Sequence, residues 1–167
     1  MLKLSDINGK TPDFMRAINE FVANPKGFFI MAGYNGNGKT FSAQAIFDHF
    51  WRQWSDNKFY NQVDLNLEWQ KKLKDYGDTT YLLSEIVKSP LLVLDDIGTR
   101  PPSPAFMDFL YAIADKRYRS RDVVGTIITT NLTTDAMREC FGDAFVSRVS
   151  SGICVRNNGL DRRAANF

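Results

Sequence analysis

The sequence predicts an α/β fold in which helices pack on both faces of a parallel sheet. Short apolar runs of strand length alternate along the chain with segments whose apolar residues recur at helical spacing. The runs at 28–32 and 91–94 are continuously apolar, which is typical of strands buried on both faces, and 123–130 is a third predicted strand with aliphatic residues at 123, 124, 127 and 128. With 167 residues, 44% of them hydrophobic, the chain has the size and composition of one globular domain.

The boundaries of the predicted elements follow from caps and helix breakers. Thr11 suits an N-cap with Pro12 at the first helical position, and Pro25 and Gly27 separate this helix from the first strand. We assign the aromatic residues of the second helix to the core. The predicted helices span 11–24, 40–54, 67–75, 81–88, 105–119 and 134–141, and the predicted strands span 28–32, 58–65, 91–94, 123–130 and 153–156.

The strongest chemical signal is a glycine-rich loop between the first strand and the second helix. Its sequence GYNGNGKT, at 33–40, fits the pattern G-x-x-x-x-G-K-[ST]. Glycines let backbone N–H groups turn around a phosphate, and the following helix N-terminus adds its dipole. Lys39 is expected to reach the β- and γ-phosphates, and the Thr40 hydroxyl to bind Mg²⁺. The predicted nucleotide-binding residues here are Gly33, Tyr34, Asn35, Gly36, Asn37, Gly38, Lys39, Thr40 and Phe41.

Polar side chains also follow two later apolar strands, where ligands bind in open α/β sheets. Asp95 and Asp96 end the run 91–94 in a Walker B pattern. Asp95 is expected to hold Mg²⁺ directly or through water, and Asp96 to orient or deprotonate the water that attacks the γ-phosphate. Asn131 follows the strand 123–130 and can hydrogen-bond that water or the γ-phosphate, provided its strand neighbours the other two.

Arg148 is an isolated cation in a mostly apolar stretch. Spacing alone leaves open whether it forms a surface salt bridge or serves as an arginine finger in a neighbouring subunit's site. The predicted catalytic residues are Lys39, Asp96, Asn131 and Arg148, and the predicted magnesium ligands are Thr40 and Asp95.

Charge and cysteine content exclude several classes of protein. Lys and Arg total 21 against 19 Asp and Glu, a net charge of +2 that does not by itself indicate a nucleic-acid partner. Cys140 and Cys154 fit neither a disulfide framework nor a zinc pattern, so a reduced, cytoplasmic protein is expected. No apolar run approaches the ~18 to 20 residues of a membrane span, and we expect neither export nor membrane insertion.

The order of these motifs resembles that of the AAA+ ATPases, and within them the DnaC-like helicase loaders and the related IstB-like transposition helpers. The resemblance covers nearly the whole chain from Phe14 onward. Its most specific segments are LLVLDDIG at 91–98, Arg117-Tyr118, TIITTNL at 126–132, Ser147-Arg148 and GLDRR at 159–163.

The resemblance implies a P-loop NTPase of the AAA+ type, a three-layer sandwich with a five-stranded parallel sheet. It implies one core domain over 1–167, in which 1–26 form the N-terminal helix and the lead-in to the first strand and 27–167 form the nucleotide-binding core. Because the sequence stops four residues after Arg163, we expect the C-terminal lid to be absent. By resemblance Lys39 and Thr40 are Walker A, Asp95 and Asp96 Walker B, Asn131 sensor 1, Arg148 the arginine finger and Arg163 a sensor 2-like arginine at the nucleotide.

The resemblance further implies ATP and Mg²⁺ as cofactors, assembly into a homo-oligomer on ATP binding, and a replicative helicase and single-stranded DNA as partners. Lys71, Lys72 and Lys74 with Trp69, and the basic run 116–121, are candidate DNA contacts, with a solvated face as the alternative. Asp96 stands where many AAA+ proteins have the longer Glu, so slow turnover is expected, and an arginine donated in trans would make the ATPase depend on assembly.

Three other functions stay open at this point. No residue separates a helicase loader from an IstB-like transposition helper. A small nucleotide kinase also fits the mass of 19.0 kDa and the phosphate loop. A non-catalytic module that uses ATP only as a conformational switch is the third.

Overall fold

Five parallel strands form the centre of the protein, in a computed structural model that describes residues 1–8 and 10–157. The strands are β1 (Gly27–Gly33), β2 (Lys58–Asn61), β3 (Leu91–Ile97), β4 (Gly125–Thr130) and β5 (Ile153–Asn157). The helices are α1 (Pro12–Ala23), α2 (Lys39–Trp51), α3 (Gln62–Tyr76), α4 (Thr80–Lys88), α5 (Pro104–Arg119) and α6 (Thr134–Val149), with a 3₁₀ turn at Leu4–Asp6.

The strand order β2-β3-β4-β1-β5 places β4 between the strand before the phosphate loop and the strand that carries the acidic pair. Thr130 at the end of β4 is level with Ala32 of β1 and with Ile97 of β3. All three strands therefore end at one edge of the sheet, here called the site edge. The sheet confirms the predicted α/β fold. It also places β4 next to both β1 and β3, which the expected role of Asn131 requires.

The continuous apolar runs are explained by burial of both faces of the sheet. In β1, Phe28 and Ile30 belong to a core cluster that includes residues of α3, α4, α5 and α6. Phe29 and Met31, which alternate with them, belong to a second cluster with α1 and α2. Because successive strand residues point to opposite faces, both faces require apolar side chains, and the result is a three-layer sandwich.

Two predicted boundaries between strands and helices are wrong. The strand predicted at 58–65 ends at Asn61, whose side-chain oxygen accepts a 2.8 Å hydrogen bond from the Asp64 N–H and so caps α3. Helix α3 consequently begins at Gln62 instead of residue 67. Val63 and Leu65 alternate with polar residues, and over so few residues that pattern fits a strand and a helix equally well.

Two helix ends also differ from prediction. Helix α2 stops at Trp51, although Trp54 still stacks on Phe50 with ring centroids 4.7 Å apart. Helix α6 resumes after Gly142, which takes a non-helical φ of 79°, and continues to Val149. Over the described residues, no helix is long and apolar enough to cross a membrane.

Candidate functional site

The phosphate loop connects the end of β1 with the start of α2 at the site edge. Gly36 and Gly38 have φ values of 74° and 81°, in the left-handed region that favours glycine. Gly38 is also the N-cap residue of α2 and has no side chain over the first turn. The backbone N–H groups at this helix terminus are consequently open to an anion.

Lys39, the first residue of α2, is buried. Its ammonium group donates hydrogen bonds to the carbonyl oxygens of Gly33 at 2.9 Å and Tyr34 at 2.8 Å. It also donates to the side-chain oxygens of Asn37 at 3.2 Å and Asn131 at 2.8 Å. These neutral oxygens hold the cation where a phosphate would approach, and leave its positive charge available to that phosphate.

Thr40, Asp95 and Thr129 form a group of oxygen donors beside the loop. The Thr40 hydroxyl donates to both carboxylate oxygens of Asp95, at 3.0 and 3.1 Å, and the Thr129 hydroxyl donates to one of them at 2.6 Å. Burial raises the pKa of Asp95, and the negative charge of Asp96 raises it further, against the two hydroxyl bonds that lower it.

This donor set fits Mg²⁺, which prefers oxygen ligands and usually combines one or two protein groups with phosphates and waters. Within 1–8 and 10–157, no group of three or more His, Cys, Asp or Glu side chains is placed to hold a metal ion. Thr40 and Asp95 would therefore hold the ion only together with the nucleotide's phosphates.

Replacing Asp95 with Asn is expected to stabilise the nucleotide-free protein at neutral pH. Because folding raises its pKa, the Asp95 carboxyl contributes stability below its ordinary pKa of about 4, and that stability is lost as the pH rises through the higher folded pKa. An Asn oxygen in the place of Oδ1 can accept from both hydroxyls without a buried charge, so we expect a gain in stability at pH 7 and none near pH 3. Urea unfolding in EDTA measures it. Asp135→Asn, at an exposed position, is the control, and a less stable Asp95→Asn protein at pH 7 would contradict the prediction.

Asp96 is the one non-glycine residue with positive φ among those described, at 56°. It lies where the pairing of β3 with β4 is irregular, and its N–H donates to the Thr129 hydroxyl at 2.8 Å. Its carboxylate accepts a 2.9 Å bond from the Asn131 side-chain amide. Asn131 therefore bridges Lys39 and Asp96 through the two ends of one amide.

A cavity of about 500 Å³ opens over these groups, within the ~300–1,000 Å³ typical of small-molecule sites. Phe41 lines it and is partly exposed, so its ring offers an apolar surface next to the phosphate loop. Tyr34 is exposed, with the Arg156 guanidinium 5.6 Å from its ring centroid. The cavity is lined by Leu2, Asn35, Gly36, Asn37, Gly38, Lys39, Thr40, Phe41, Gln44, Asp96, Thr129 and Asn131.

Arg148 lies away from this cavity. Arg148 lies in the last turn of α6, a few residues before β5. The start of β5 is level with Phe29, near the start of β1. Arg148 is therefore at the end of the sheet opposite the site edge. Its Nε donates to Asp115 at 2.7 Å and its Nη1 to the Ala144 carbonyl at 2.9 Å. Arg163 lies outside the described residues.

Three residues of the site were missed by sequence reasoning. Thr129 donates to the Asp95 carboxylate and accepts from the Asp96 N–H, Lys10 donates to the Asn37 carbonyl, and Asn157 exchanges hydrogen bonds with Asn37. Thr129 could have been found, because it immediately precedes Thr130 and Asn131 at the end of an apolar strand. No local pattern marks Lys10 or Asn157.

Two of the proposed DNA contacts are wrong. Trp69 is buried against Phe106 and Phe109, so its ring cannot stack on a base. Arg117, within the basic run 116–121, is completely buried. Lys71, Lys74 and Arg119 are exposed.

Comparison with known proteins gives one matching family and several similar structures. A protein-family model described as IstB-like ATP binding protein matches residues 14–150. Among solved structures, that of the DnaC helicase loader has a TM-score of 0.79 at 25% identity, over 93% of this chain and 96% of that one. DnaI matches with a TM-score of 0.77 at 21% identity, over 97% and 90%. No curated protein matches significantly.

AMPPCP-bound DnaA from Aquifex aeolicus matches with a TM-score of 0.79 at 18% identity. The match covers 93% of this chain and 49% of the DnaA chain, so this chain spans about half the length of that protein. At this identity, the likeness shows the fold alone, an AAA+ fold. The family match over residues 14–150, with the similarity to the DnaC helicase loader, establishes that the chain belongs to the IstB-like ATP-binding proteins, in the DnaC/IstB group of AAA+ proteins.

Proposed function

We propose that the protein hydrolyses ATP with Mg²⁺ and acts in DNA replication as a loader of a replicative helicase. The observation that carries the hydrolysis is the meeting of Lys39, Asp95 and Asp96 at one edge of the sheet, beside a nucleotide-sized cavity. The loader role is supported by similarity to the DnaC helicase loader, which extends over nearly the full length of both chains.

Each polar group has a distinct task in this proposal. The loop N–H groups and Lys39 bind the β- and γ-phosphates. When the phosphates bind, the Lys39 ammonium exchanges its neutral oxygen partners for phosphate oxygens. Mg²⁺, when bound, would neutralise phosphate charge. Asn131 and Asp96 orient a water toward the γ-phosphate, and Asp96 accepts its proton.

An ATPase assay over a series of protein concentrations tests the hydrolysis. Asp96→Asn is expected to lower turnover more than tenfold with nucleotide affinity unchanged, because the phosphate loop is untouched. Asn also tolerates the left-handed φ at this position, so the variant removes the charge without straining the backbone. If the wild-type protein releases no phosphate at any concentration, the hydrolysis proposal fails and the protein uses ATP only as a switch.

We further propose that Arg148 completes the site of a neighbouring subunit in a homo-oligomer. Its position opposite the site edge prevents it from reaching the nucleotide of its own chain. Asp115 and the Ala144 carbonyl hold Nε and Nη1, and the Tyr111 ring lies 4.9 Å from the guanidinium, while Nη2 donates to none of the described residues. The side chain is therefore oriented, with one donor nitrogen left for a partner.

Single-stranded DNA is the proposed nucleic-acid ligand, on the C-terminal half of α3. Lys71, Lys72 and Lys74 lie there with Tyr76, whose ring is exposed and lies 5.5 Å from the Lys72 ammonium. Lysines bind phosphates and an exposed aromatic ring can stack on a base. Tyr76 thus takes the role that the buried Trp69 cannot have.

Tyr76→Ala is expected to weaken binding of an oligothymidine about tenfold, because base stacking on an aromatic ring contributes about 1–3 kcal/mol. Replacing the three lysines with Ala should make the slope of log binding constant against log salt concentration less steep by up to about 2. Fluorescence anisotropy with ATP and Mg²⁺ measures both effects. Trp51→Ala, at a partly exposed aromatic on α2, is the control. If neither α3 variant changes binding, α3 is not the DNA surface.

A transposition helper is the second candidate function, favoured by the description of the matching family as IstB-like. Both functions need the same ATP site and differ in the protein partner. Capture of a purified replicative helicase and of an IS21-type transposase by the ATP-bound protein, with the Lys39→Met variant as the nucleotide-free control, distinguishes them.

A further inference from the structure

The phosphate loop is fastened to the last residue of β5 by a reciprocal pair of amide hydrogen bonds. The Asn37 side chain donates to the Asn157 carbonyl at 2.6 Å, and the Asn157 side chain donates to the Asn37 carbonyl at 3.0 Å. Both residues are buried, at 2% and 1% exposure. The pair joins positions 120 residues apart in the sequence.

Gly33 and Lys10 complete this junction. A Cβ atom on Gly33 would lie 2.2 Å from the Asn157 carbonyl oxygen, so the close approach of β5 requires glycine at the first position of the loop. Lys10 donates to the Asn37 carbonyl from the N-terminal segment. The backbone at Asn37 is therefore restrained by groups from both ends of the chain.

The junction also determines where the Asn37 side chain points. Since its Nδ2 is held by the Asn157 carbonyl, its Oδ1 faces inward and accepts the 3.2 Å bond from the Lys39 ammonium. A loop whose amides must converge on a phosphate gains affinity when its conformation is fixed before the ligand arrives.

We propose that Asn157 is a positioning residue for nucleotide binding: it fixes the phosphate loop in its binding conformation through Asn37, without touching the nucleotide. The proposal rests on nucleotide binding alone and is independent of hydrolysis, DNA and the protein partner.

Asn157→Leu is expected to weaken binding of Mg-ATP and of Mg-ADP about tenfold, because the buried Asn37 carbonyl loses the Asn157 side-chain donor and the loop loses one of its restraints. Tripolyphosphate, which lacks base and ribose, should lose affinity by the same factor, since the change lies in the phosphate loop. If Asn157 had a purely structural role, its replacement would not specifically weaken phosphate binding. Isothermal titration calorimetry on the full chain measures the three affinities, and thermal unfolding measures stability.

Asn57→Leu is the matched control. Asn57 is also a buried amide with bonds at both ends, accepting from the Leu91 N–H and donating to the Phe50 carbonyl, but it lies away from the loop. It should lose thermal stability and keep its ATP affinity. Unchanged ATP affinity in Asn157→Leu, or an equal loss in Asn57→Leu, would overturn the proposal. If Asn157→Leu does not fold, Asn157→Ser provides the same comparison with a smaller change of volume, and unchanged affinity there would overturn it equally.

Discussion

Replacing Arg117 with Met is expected to lower the free energy of unfolding by about 3–5 kcal/mol, a large part of the ~5–15 kcal/mol of a typical domain. Arg117 is fully buried, and its Nε donates to the Thr126 hydroxyl at 2.7 Å. Its Nη1 donates to the carbonyls of Ile86, Val87 and Ser89 at 2.9 to 3.0 Å, and its Nη2 donates to the Gly125 carbonyl.

The first three carbonyls lie at the C-terminus of α4, where helix carbonyls lack intrahelical partners and the helix dipole is negative. Arg117 therefore caps α4 from α5 and joins both to β4. Burial lowers the pKa of Arg117 to about 9, which leaves the guanidinium charged at neutral pH. Met has a similar length and no donors, so these oxygens would lose the guanidinium N–H groups, although the Ile86 carbonyl would keep a second donor, the Ser89 hydroxyl.

Urea unfolding at low temperature measures the loss. Arg119→Met, two positions along the same helix, is the control, because Arg119 is 76% exposed and forms only a surface ion pair with Asp115. Arg117→Lys should also be destabilised, since an ammonium group lacks the planar fork that reaches several carbonyls. A free energy of unfolding for Arg117→Met within 1 kcal/mol of wild type would contradict the prediction.

The buried position of Arg117 could not be predicted from the sequence. The strands could be predicted because apolar runs such as 91–94 have a direct physical cause, burial on both faces. The loop and the acidic pair could be predicted because phosphate chemistry fixes residue types at short spacing. Arg117 stands in a basic run at the end of a helix, a pattern that is usually exposed to solvent, and only the tertiary structure reveals that α4 needs its donors.

The same limit applies to the site. Asn131 lies between Lys39 and Asp96 because β4 lies between β1 and β3. The sequence could state this strand order only as a requirement for the role of Asn131 and could not predict it. The contact between Asn37 and Asn157 depends on β5 packing beside β1, which no spacing in the sequence expresses. Short-range chemistry was therefore predictable, whereas contacts between distant segments required the fold.

Replacing Arg148 with Ala is expected to lower ATP turnover by about 10³-fold or more if the proposed assembly forms, because an arginine supplied in trans stabilises transition-state charge to that extent. Turnover of the wild-type protein per subunit should rise with protein concentration. Arg119→Ala is the matched control, since Arg119 binds the same Asp115 carboxylate and is not proposed to enter a site. It should retain wild-type turnover.

Mixing two inactive variants tests whether Arg148 acts across subunits. Asp96→Asn subunits keep Arg148 and lack the catalytic carboxylate, whereas Arg148→Ala subunits keep an intact site and lack the arginine. Because each supplies what the other lacks, a mixture should recover turnover that neither shows alone, and the recovery should require Arg148 in the Asp96→Asn partner. The double variant Asp96→Asn/Arg148→Ala, mixed with Arg148→Ala, should recover none. Full activity of Arg148→Ala alone would show that Arg148 is only the partner of Asp115 in a surface ion pair.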